Sequence, residues 1–318
     1  MKKTFLCLLA LFLALSLTGC GQQLLGDGIP PKEGITIVTT NFFLYDAART
    51  LARPEDEVIM LLSPGAESHD FELTLSDMAV LETCDLFAYV GGEGEGWVYD
   101  ALETFGEHGI TVPTFCAMEA VEEAGVLYHT AGEHDHDHDG HAHSHWEGID
   151  DHVWLSVPNA IVIHEAMGDT LKGYYEDWTP DESVRYRLTM LDEKIRALVS
   201  AADNPEILVA DRFPFAYLTE EYGIRYTAAF EGCSSDTEAS LDVIHMLIGK
   251  TEALGQGTVL VTELSNRQTA AAVQAQVPGT EIAELHSCHN VTKEDFDAGV
   301  TYLDLMERNC TVLENLWK

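Results

Sequence analysis

The sequence has few basic residues. It contains 17 Lys and Arg against 54 Asp and Glu, which gives a formal net charge of −37. Nucleic-acid binding depends on Lys and Arg side chains that neutralise phosphates, so this composition excludes nucleic acid as a partner. An acidic chain attracts cations instead. Hydrophobic residues still make up 46% of the chain, so we expect a folded protein with a real core rather than a disordered acidic one.

Two common metal and redox motifs are also missing. The seven cysteines form no CxxC pair, which argues against a zinc ribbon or a thioredoxin-like site. No HExxH segment and no general base at motif spacing occur, which argues against a secreted zinc hydrolase. That enzyme and a metal-buffering or adhesive surface protein are the alternatives to the function developed below.

The N-terminus has the composition of an export signal. Two lysines precede an uncharged apolar run at residues 4–17, which is short for a transmembrane helix and is followed by small residues. The segment Leu17-Thr18-Gly19-Cys20 resembles a bacterial lipobox, in which the cysteine becomes the lipidated first residue. A plain signal peptide with an incidental cysteine is the alternative. We predict a lipoprotein signal peptide at 1–20, a tether at 21–34, and a location outside the cytoplasmic membrane, to which the chain is lipid-anchored.

Strand-like and helix-like segments alternate in two stretches of the chain. Four apolar strands are expected in each stretch, including a short fourth one at Thr111-Val112. Such alternation predicts parallel βαβ units. We therefore expect an α/β fold with two parallel-sheet lobes joined by a long backbone helix. The predicted boundaries are 35–157 for the N-terminal lobe, 158–204 for the linking helices and 205–318 for the C-terminal lobe.

Three histidines at separate places in the chain are each expected to follow a strand. They are His69, His152 and His286. Ligands of open parallel sheets bind beyond the carboxyl ends of the strands, and neutral imidazole suits Zn²⁺ better than Mg²⁺ or Ca²⁺. The sequence thus predicts a metal cleft between the lobes, with Asp70 and Asp151 behind the imidazoles as carboxylate partners.

A histidine-rich tract occupies residues 129–145. Half of the 14 histidines lie in it, and it has no large apolar residues with which to build a core. We predict an auxiliary metal loop that collects zinc weakly and loses affinity below about pH 6.5. A solvated acidic insertion without a defined role is the alternative. The candidate ligands are His134, His136, His138, His141, His143 and His145.

Two segments resemble signatures of a known family. Residues 64–72, Pro-Gly-Ala-Glu-Ser-His-Asp-Phe-Glu, followed by Ser76-Asp77, resemble the "PGxxPHxYEPTxxD" signature of the metal-binding lipoproteins of ABC importers, the cluster A-I solute-binding proteins. Residues 151–156, Asp-His-Val-Trp-Leu-Ser, resemble their "DPHxWLsP" motif. The acidic histidine tract resembles the loop of the zinc-specific branch of that family.

This resemblance implies a receptor without catalytic activity. It implies two α/β lobes with Zn²⁺, or less readily Mn²⁺, bound between them and delivered to an ABC permease in the cytoplasmic membrane. We expect a monomer. The first two metal ligands of the family correspond to His69 and His152. The fourth ligand position of the family, usually an Asp after the last strand, aligns with His286.

The third family ligand does not carry over, because Arg212 occupies its position. A guanidinium cannot ligate a cation and repels it. Arg212 therefore either turns away to pair with a carboxylate or fixes an anionic group from behind. The remaining coordination position is left open between three candidates, Asp211, Glu231 and His289.

Two cysteines flank the same region. Cys233 and Cys288 allow a disulfide that would brace the loop of His286, and a Cys288 thiolate ligand is the alternative. Sequence alone does not choose between them, because pairing depends on geometry.

Overall fold

The computed structural model describes residues 34–67, 71–125, 149–175, 179–230, 232, 239–255 and 257–318. Several predicted features lie outside these ranges. They are the signal peptide with Cys20, nearly all of the tether, the histidine-rich tract, His69, Asp70, Glu231 and Cys233. The described residues contain no helix that is both long and apolar enough to cross a membrane.

The first lobe contains a parallel sheet of four short strands in the order β2-β1-β3-β4. The strands are β1 Thr36–Thr39, β2 Glu57–Met60, β3 Leu86–Tyr89 and β4 Thr114–Cys116. The helices are α1 Phe42–Leu51, α2 Leu75–Thr83, α3 Gly96–Glu107 and α4 Ala117–Glu123. Local capping explains where these helices begin: the Asn41 side chain accepts from Leu44 N, and Thr74 and Asp77 form a capping box.

The second lobe repeats this arrangement with strand order β6-β5-β7-β8. The strands are β5 Glu206–Val209, β6 Arg225–Ala228, β7 Thr258–Val261 and β8 Glu281–Glu284. The helices between them are Ala216–Tyr222, Leu241–Leu254 and Gln268–Gln276. Two further helices, Lys293–Asp297 and Tyr302–Leu316, close the described chain.

Two helices connect the lobes, Val157–Leu171, here called the first linking helix, and Glu182–Ala201, the second. Pro158 lies in the first turn of the first linking helix, where its missing N–H and fixed φ suit a helix start. The prediction of two parallel-sheet α/β lobes is confirmed. The fourth strand of the first lobe was predicted at the wrong place: it is Thr114–Cys116 rather than Thr111-Val112, because Phe115 and Cys116 are the residues that pair with Ala88 and Tyr89.

One hydrophobic core extends across both lobes and the linking helices. It contains Ile37 of the first sheet, Ile163 of the first linking helix and Ile207 of the second sheet. The strand β5 alternates, so Ile207 and Val209 face this core while Leu208 and Ala210 belong to a smaller cluster on the other side of the sheet. The shared core fixes the two lobes against each other and thereby positions the cleft.

A buried histidine in the first linking helix responds to pH independently of the cleft. His164 is 7% exposed, and its Nε2 lies 3.1 Å from Thr50 Oγ1. Burial lowers the pKa of His164 to about 4 from the ordinary 6.5. The unfolded chain therefore binds a proton at His164 as pH falls below 6.5, whereas the folded chain does not until about pH 4.

This difference predicts an acid-dependent loss of stability. The contribution of His164 is fully present above pH 6.5 and falls by about 3 kcal/mol of unfolding free energy toward pH 4. Denaturant unfolding of the metal-free protein between pH 4 and 7 measures it. His164→Gln should flatten this part of the slope, while the exposed His108→Gln should not. Equal slopes in wild type and His164→Gln would contradict the prediction.

Candidate metal site

A cavity of about 40 Å³ lies between the lobes. Its lining combines imidazoles, carboxylates and one guanidinium. These side chains belong to Glu67 and His152 from the first half of the chain, and to Arg212, Glu263 and His289 from the second. The cavity therefore lies at the position predicted for the metal cleft, between the lobes.

His152 is held by two carboxylates. Its Nδ1 lies 3.0 Å from Asp151 Oδ1 and 3.2 Å from Asp150 Oδ1, and its backbone N–H donates to Asp150 Oδ1 at 2.8 Å. The ligand atoms of these three residues lie within 4.8 Å of one another. Carboxylates on Nδ1 fix the proton there, so Nε2 carries the lone pair that a metal requires.

Asp151 fits against two glycines that follow β3. A Cβ atom at Gly94 would lie 2.5 Å from Asp151 Oδ2, and one at Gly92 would lie 2.8 Å from Asp151 Cβ. Burial acts to raise the pKa of Asp151, but the nearby His152 and His289 outweigh it and lower the pKa. The glycine contacts were not predicted, because the sequence around Gly92 signals only the end of a strand.

Gly94→Ala should weaken zinc binding without touching a candidate ligand. The added methyl displaces the Asp151 carboxylate, and loss of such an outer partner costs about 10–100-fold in metal affinity. Gly96→Ala is the matched control, because a methyl group added there would meet no atom within 4 Å. Zinc titration of both folded variants checks the prediction, and equal affinities would contradict it.

His289 faces His152 across the cavity. The two ring centroids are 5.3 Å apart, and the His289 ring lies 5.5 Å from the Trp154 ring. The His289 carbonyl accepts from Phe42 N at 2.9 Å, which ties its loop to the start of α1. Trp154 Nε1 donates to the Ser287 carbonyl at 2.8 Å. The loop after β8 is thus anchored to the first lobe.

His286 is placed differently from His289, although both follow β8. It is 5% exposed and is not among the residues that line the cavity. Its Nδ1 accepts the backbone N–H of Cys288 at 2.9 Å. The neutral ring therefore carries its proton on Nε2, and neither nitrogen offers a lone pair to a metal. The structure brings His289, not His286, to His152.

Glu263 orders the loop that carries His289, a role that sequence reasoning missed. Its carboxylate accepts the Ser287 backbone N–H at 2.7 Å and also the Ser287 hydroxyl. The His289 backbone N–H in turn donates to Ser287 Oγ at 3.2 Å. Burial acts to raise the pKa of Glu263, and the hydrogen bonds from Ser287 act to lower it. The sequence signal that could have identified this role is the position of Glu263 just after β7.

Arg212 pairs with a carboxylate from the first lobe. Its NH1 lies 3.2 Å from Glu67 Oε1. Asp211 is used structurally: one oxygen accepts the Arg212 backbone N–H at 2.9 Å, and the other accepts the Thr262 hydroxyl at 3.1 Å. Asp211 does not line the cavity. Arg212 therefore pairs with a carboxylate, as the first expected arrangement has it, but it lines the cavity rather than turning away from it.

Cys288 is a free thiol with no exposed surface. Its predicted disulfide partner, Cys233, lies outside the described residues, so that pairing stays a prediction. Burial raises the pKa of the Cys288 thiol well above its ordinary value, which keeps it protonated and unsuited to metal ligation. Cys84 and Cys310 are buried free thiols as well.

The fold and this cavity define a class of protein. It is a two-lobed α/β protein with a cavity between its parallel sheets that is lined by imidazoles, carboxylates and a guanidinium. Imidazole nitrogen backed by carboxylate is the donor chemistry that zinc prefers.

The family follows from comparison with known proteins. Residues 37–316 match the family model described as zinc-uptake complex component A, periplasmic (ZnuA). The chain belongs to this family.

Two curated relatives are similar over almost the whole chain. The zinc-binding lipoprotein AdcA of Streptococcus pneumoniae serotype 4 is 29% identical over 99% of this chain. The chain spans 61% of the length of that relative. The high-affinity zinc uptake system protein ZnuA of Bacillus subtilis is 27% identical over 95% of this chain and 93% of its own length.

Solved structures share the fold. The Zn(II)-bound ZnuA-like domain of Streptococcus pneumoniae AdcA has a TM-score of 0.69 at 24% identity, covering 89% of this chain and 99% of the domain. The metal-dependent lipoprotein YcdH of Bacillus subtilis has a TM-score of 0.70 at 24% identity, covering 89% and 100%. Both likenesses support the two-lobed parallel architecture.

Proposed function

We propose that this chain is an extracytoplasmic receptor that binds Zn²⁺ between its lobes and delivers it to an ABC permease. The observation that carries the proposal is His152, whose Nδ1 is held by two carboxylates while its ring faces His289 in the cleft. Membership of the zinc-uptake family supports the same cargo. The names of the two curated relatives, a zinc-binding lipoprotein and a zinc uptake protein, support it further.

The proposed ligands are three imidazoles. His152 and His289 come from the described site, and His69 comes from the family resemblance of its motif. This set replaces His286 by His289, because the Cys288 N–H occupies Nδ1 of His286. Zinc accepts three protein ligands and one exogenous group. Manganese is the alternative cargo, but a nitrogen-rich donor set favours zinc over a metal that prefers oxygen.

The remaining parts of the proposal follow from the sequence and the family. They are lipid anchoring at Cys20, the domain boundaries at residues 157 and 204, an auxiliary zinc loop at 129–145, a monomeric state and the absence of enzymatic activity. The acidic chain, with a net charge of −37, supports accumulation of cations near the cleft.

Calorimetric titration of the metal-free protein tests the function. We expect one tight site for Zn²⁺, weaker binding of Mn²⁺, and no hydrolysis of ester or peptide panels. Deletion of residues 133–145 should keep the tight site, because the loop is proposed to be auxiliary. A protein without a tight zinc site, or one whose tight site disappears with the loop, would overturn the proposal.

A further inference from the structure

Arg212 brings a fixed positive charge into the metal cavity. Its side chain lines the same cavity as His152 and His289. Its backbone is held because Asp211 accepts its N–H on one oxygen and the Thr262 hydroxyl on the other. A bare divalent cation in this cavity is repelled by the guanidinium. Tight zinc binding therefore requires negative charge between the two.

Among the described residues, two carboxylates line the cavity, and both already have partners. Glu263 accepts the N–H and the hydroxyl of Ser287 and so holds the loop after β8. Glu67 pairs with Arg212 itself, at 3.2 Å from NH1. Within the part of the chain that the structure describes, neither arrangement provides a second anionic group for the ion on the side of Arg212.

The contact between Arg212 and Glu67 is open to competition. The Glu67 side chain is 41% exposed, whereas that of Arg212 is 15% exposed, so water and salt reach the carboxylate end of the pair and screen it in part. A guanidinium presents five donors in a planar fork that matches a carboxylate. A small oxyanion can therefore share or replace Glu67 on Arg212.

We propose that Zn²⁺ binds in this cleft together with a small planar oxyanion of the carboxylate class, which is held by the Arg212 guanidinium. The anion fills the coordination position that the histidines leave to an exogenous group. It converts a repulsion between two cations into two attractions. The inference rests on the proposed zinc function and names the form in which the ion is held.

The size of the cavity selects the anion. About 40 Å³ is available to water-sized groups, so the cavity has room for a small group beside an ion. This suits an ion with one anion of the size of acetate or hydrogencarbonate. A tricarboxylate such as citrate is too large and should only compete for zinc in solution.

Anion-dependent zinc affinity tests the inference. The affinity of the full chain is measured by competition with a chromophoric chelator in methanesulfonate, chloride, acetate and hydrogencarbonate, at one pH and ionic strength, with free zinc corrected for complexes in solution. We expect binding tighter by about tenfold or more in acetate or hydrogencarbonate than in methanesulfonate. Chloride, which cannot use the planar fork, should give no such gain.

Two arginine variants separate the site from general charge effects. Arg212→Gln should lose the anion dependence and bind zinc more tightly than wild type in methanesulfonate, because the repulsion is gone. Arg225→Gln is the matched control: this second-lobe arginine pairs with Glu206 at 3.2 Å and does not line the cavity. It should retain the anion dependence in full.

A second readout follows the anion directly. With Co²⁺ in place of zinc, the wild type should broaden the carbonyl resonance of ¹³C-labelled acetate by paramagnetic relaxation, and Arg212→Gln should not.

The outcomes distinguish this inference from the proposed function. Tight zinc binding that is equal in all anions would overturn the inference and leave the function standing. Anion dependence that persists in Arg212→Gln, an equal gain from chloride, or loss of binding in Glu67→Gln under every anion would also overturn it; the last result would make the Glu67 carboxylate the group on the ion. Absence of tight binding in every anion would overturn both.

Discussion

His152→Ala is expected to remove tight zinc binding. His152 is 2% exposed, its Nδ1 is fixed by Asp150 and Asp151, and its ring faces His289. Loss of an outer carboxylate alone costs about 10–100-fold in affinity, so loss of the ligand itself should cost more than about 100-fold. Zinc titration of the metal-free variant measures this change.

His108→Ala is the matched control for this substitution. His108 is an exposed histidine at the end of α3, with Nδ1 2.8 Å from the Thr104 carbonyl, and its replacement should leave zinc affinity unchanged. Circular dichroism establishes that both variants fold. A folded His152→Ala protein with the dissociation constant of the wild type would refute the proposed ligand set.

His289→Asn and His286→Asn should differ strongly in zinc affinity. His289 lines the cavity, so its replacement removes a proposed ligand and should cost more than about 100-fold. His286 accepts the Cys288 N–H through Nδ1, and the oxygen of an asparagine can accept the same hydrogen bond. The zinc affinity of His286→Asn should therefore stay within a few-fold of the wild-type affinity, which corresponds to about 1 kcal/mol or less of binding free energy.

Titration of both variants beside the wild type decides between the two histidines. The same substitution at two positions three residues apart controls for the loss of an imidazole in this loop. If His286→Asn loses tight binding and His289→Asn retains it, the assignment made from the sequence is right and the one made from the geometry is wrong.

Much of the fold was predictable because it depends on local patterns. Short apolar segments alternating with helical periodicity predicted two parallel α/β lobes. The capping box of Thr74 and Asp77 and the proline at position 158 in the first turn of the first linking helix are also local features. The fourth strand was misplaced by a few residues, because its position depends on pairing with β3 rather than on its own composition.

The site was predictable only in part. The motif around His152 identified that residue and Asp151 directly, and it placed Asp150 next to them in the chain. Gly94 and Glu263 were missed, because each acts through a contact with a residue distant in sequence: Asp151 for the glycine and Ser287 for the glutamate. No pattern within a short window reports such contacts.

The sequence by itself determined the acidic character, the alternation of strands and helices, and the type of donor that follows the strands. The tertiary structure decided which imidazole of the loop after β8 meets His152, and which carboxylate meets Arg212. The physical reason is that Ser287 and Glu263 set the direction of that loop, with Cys288 at a φ of 60°. Hydrogen bonds between distant segments, not the spacing of histidines, place His289 in the cavity and leave His286 outside its lining.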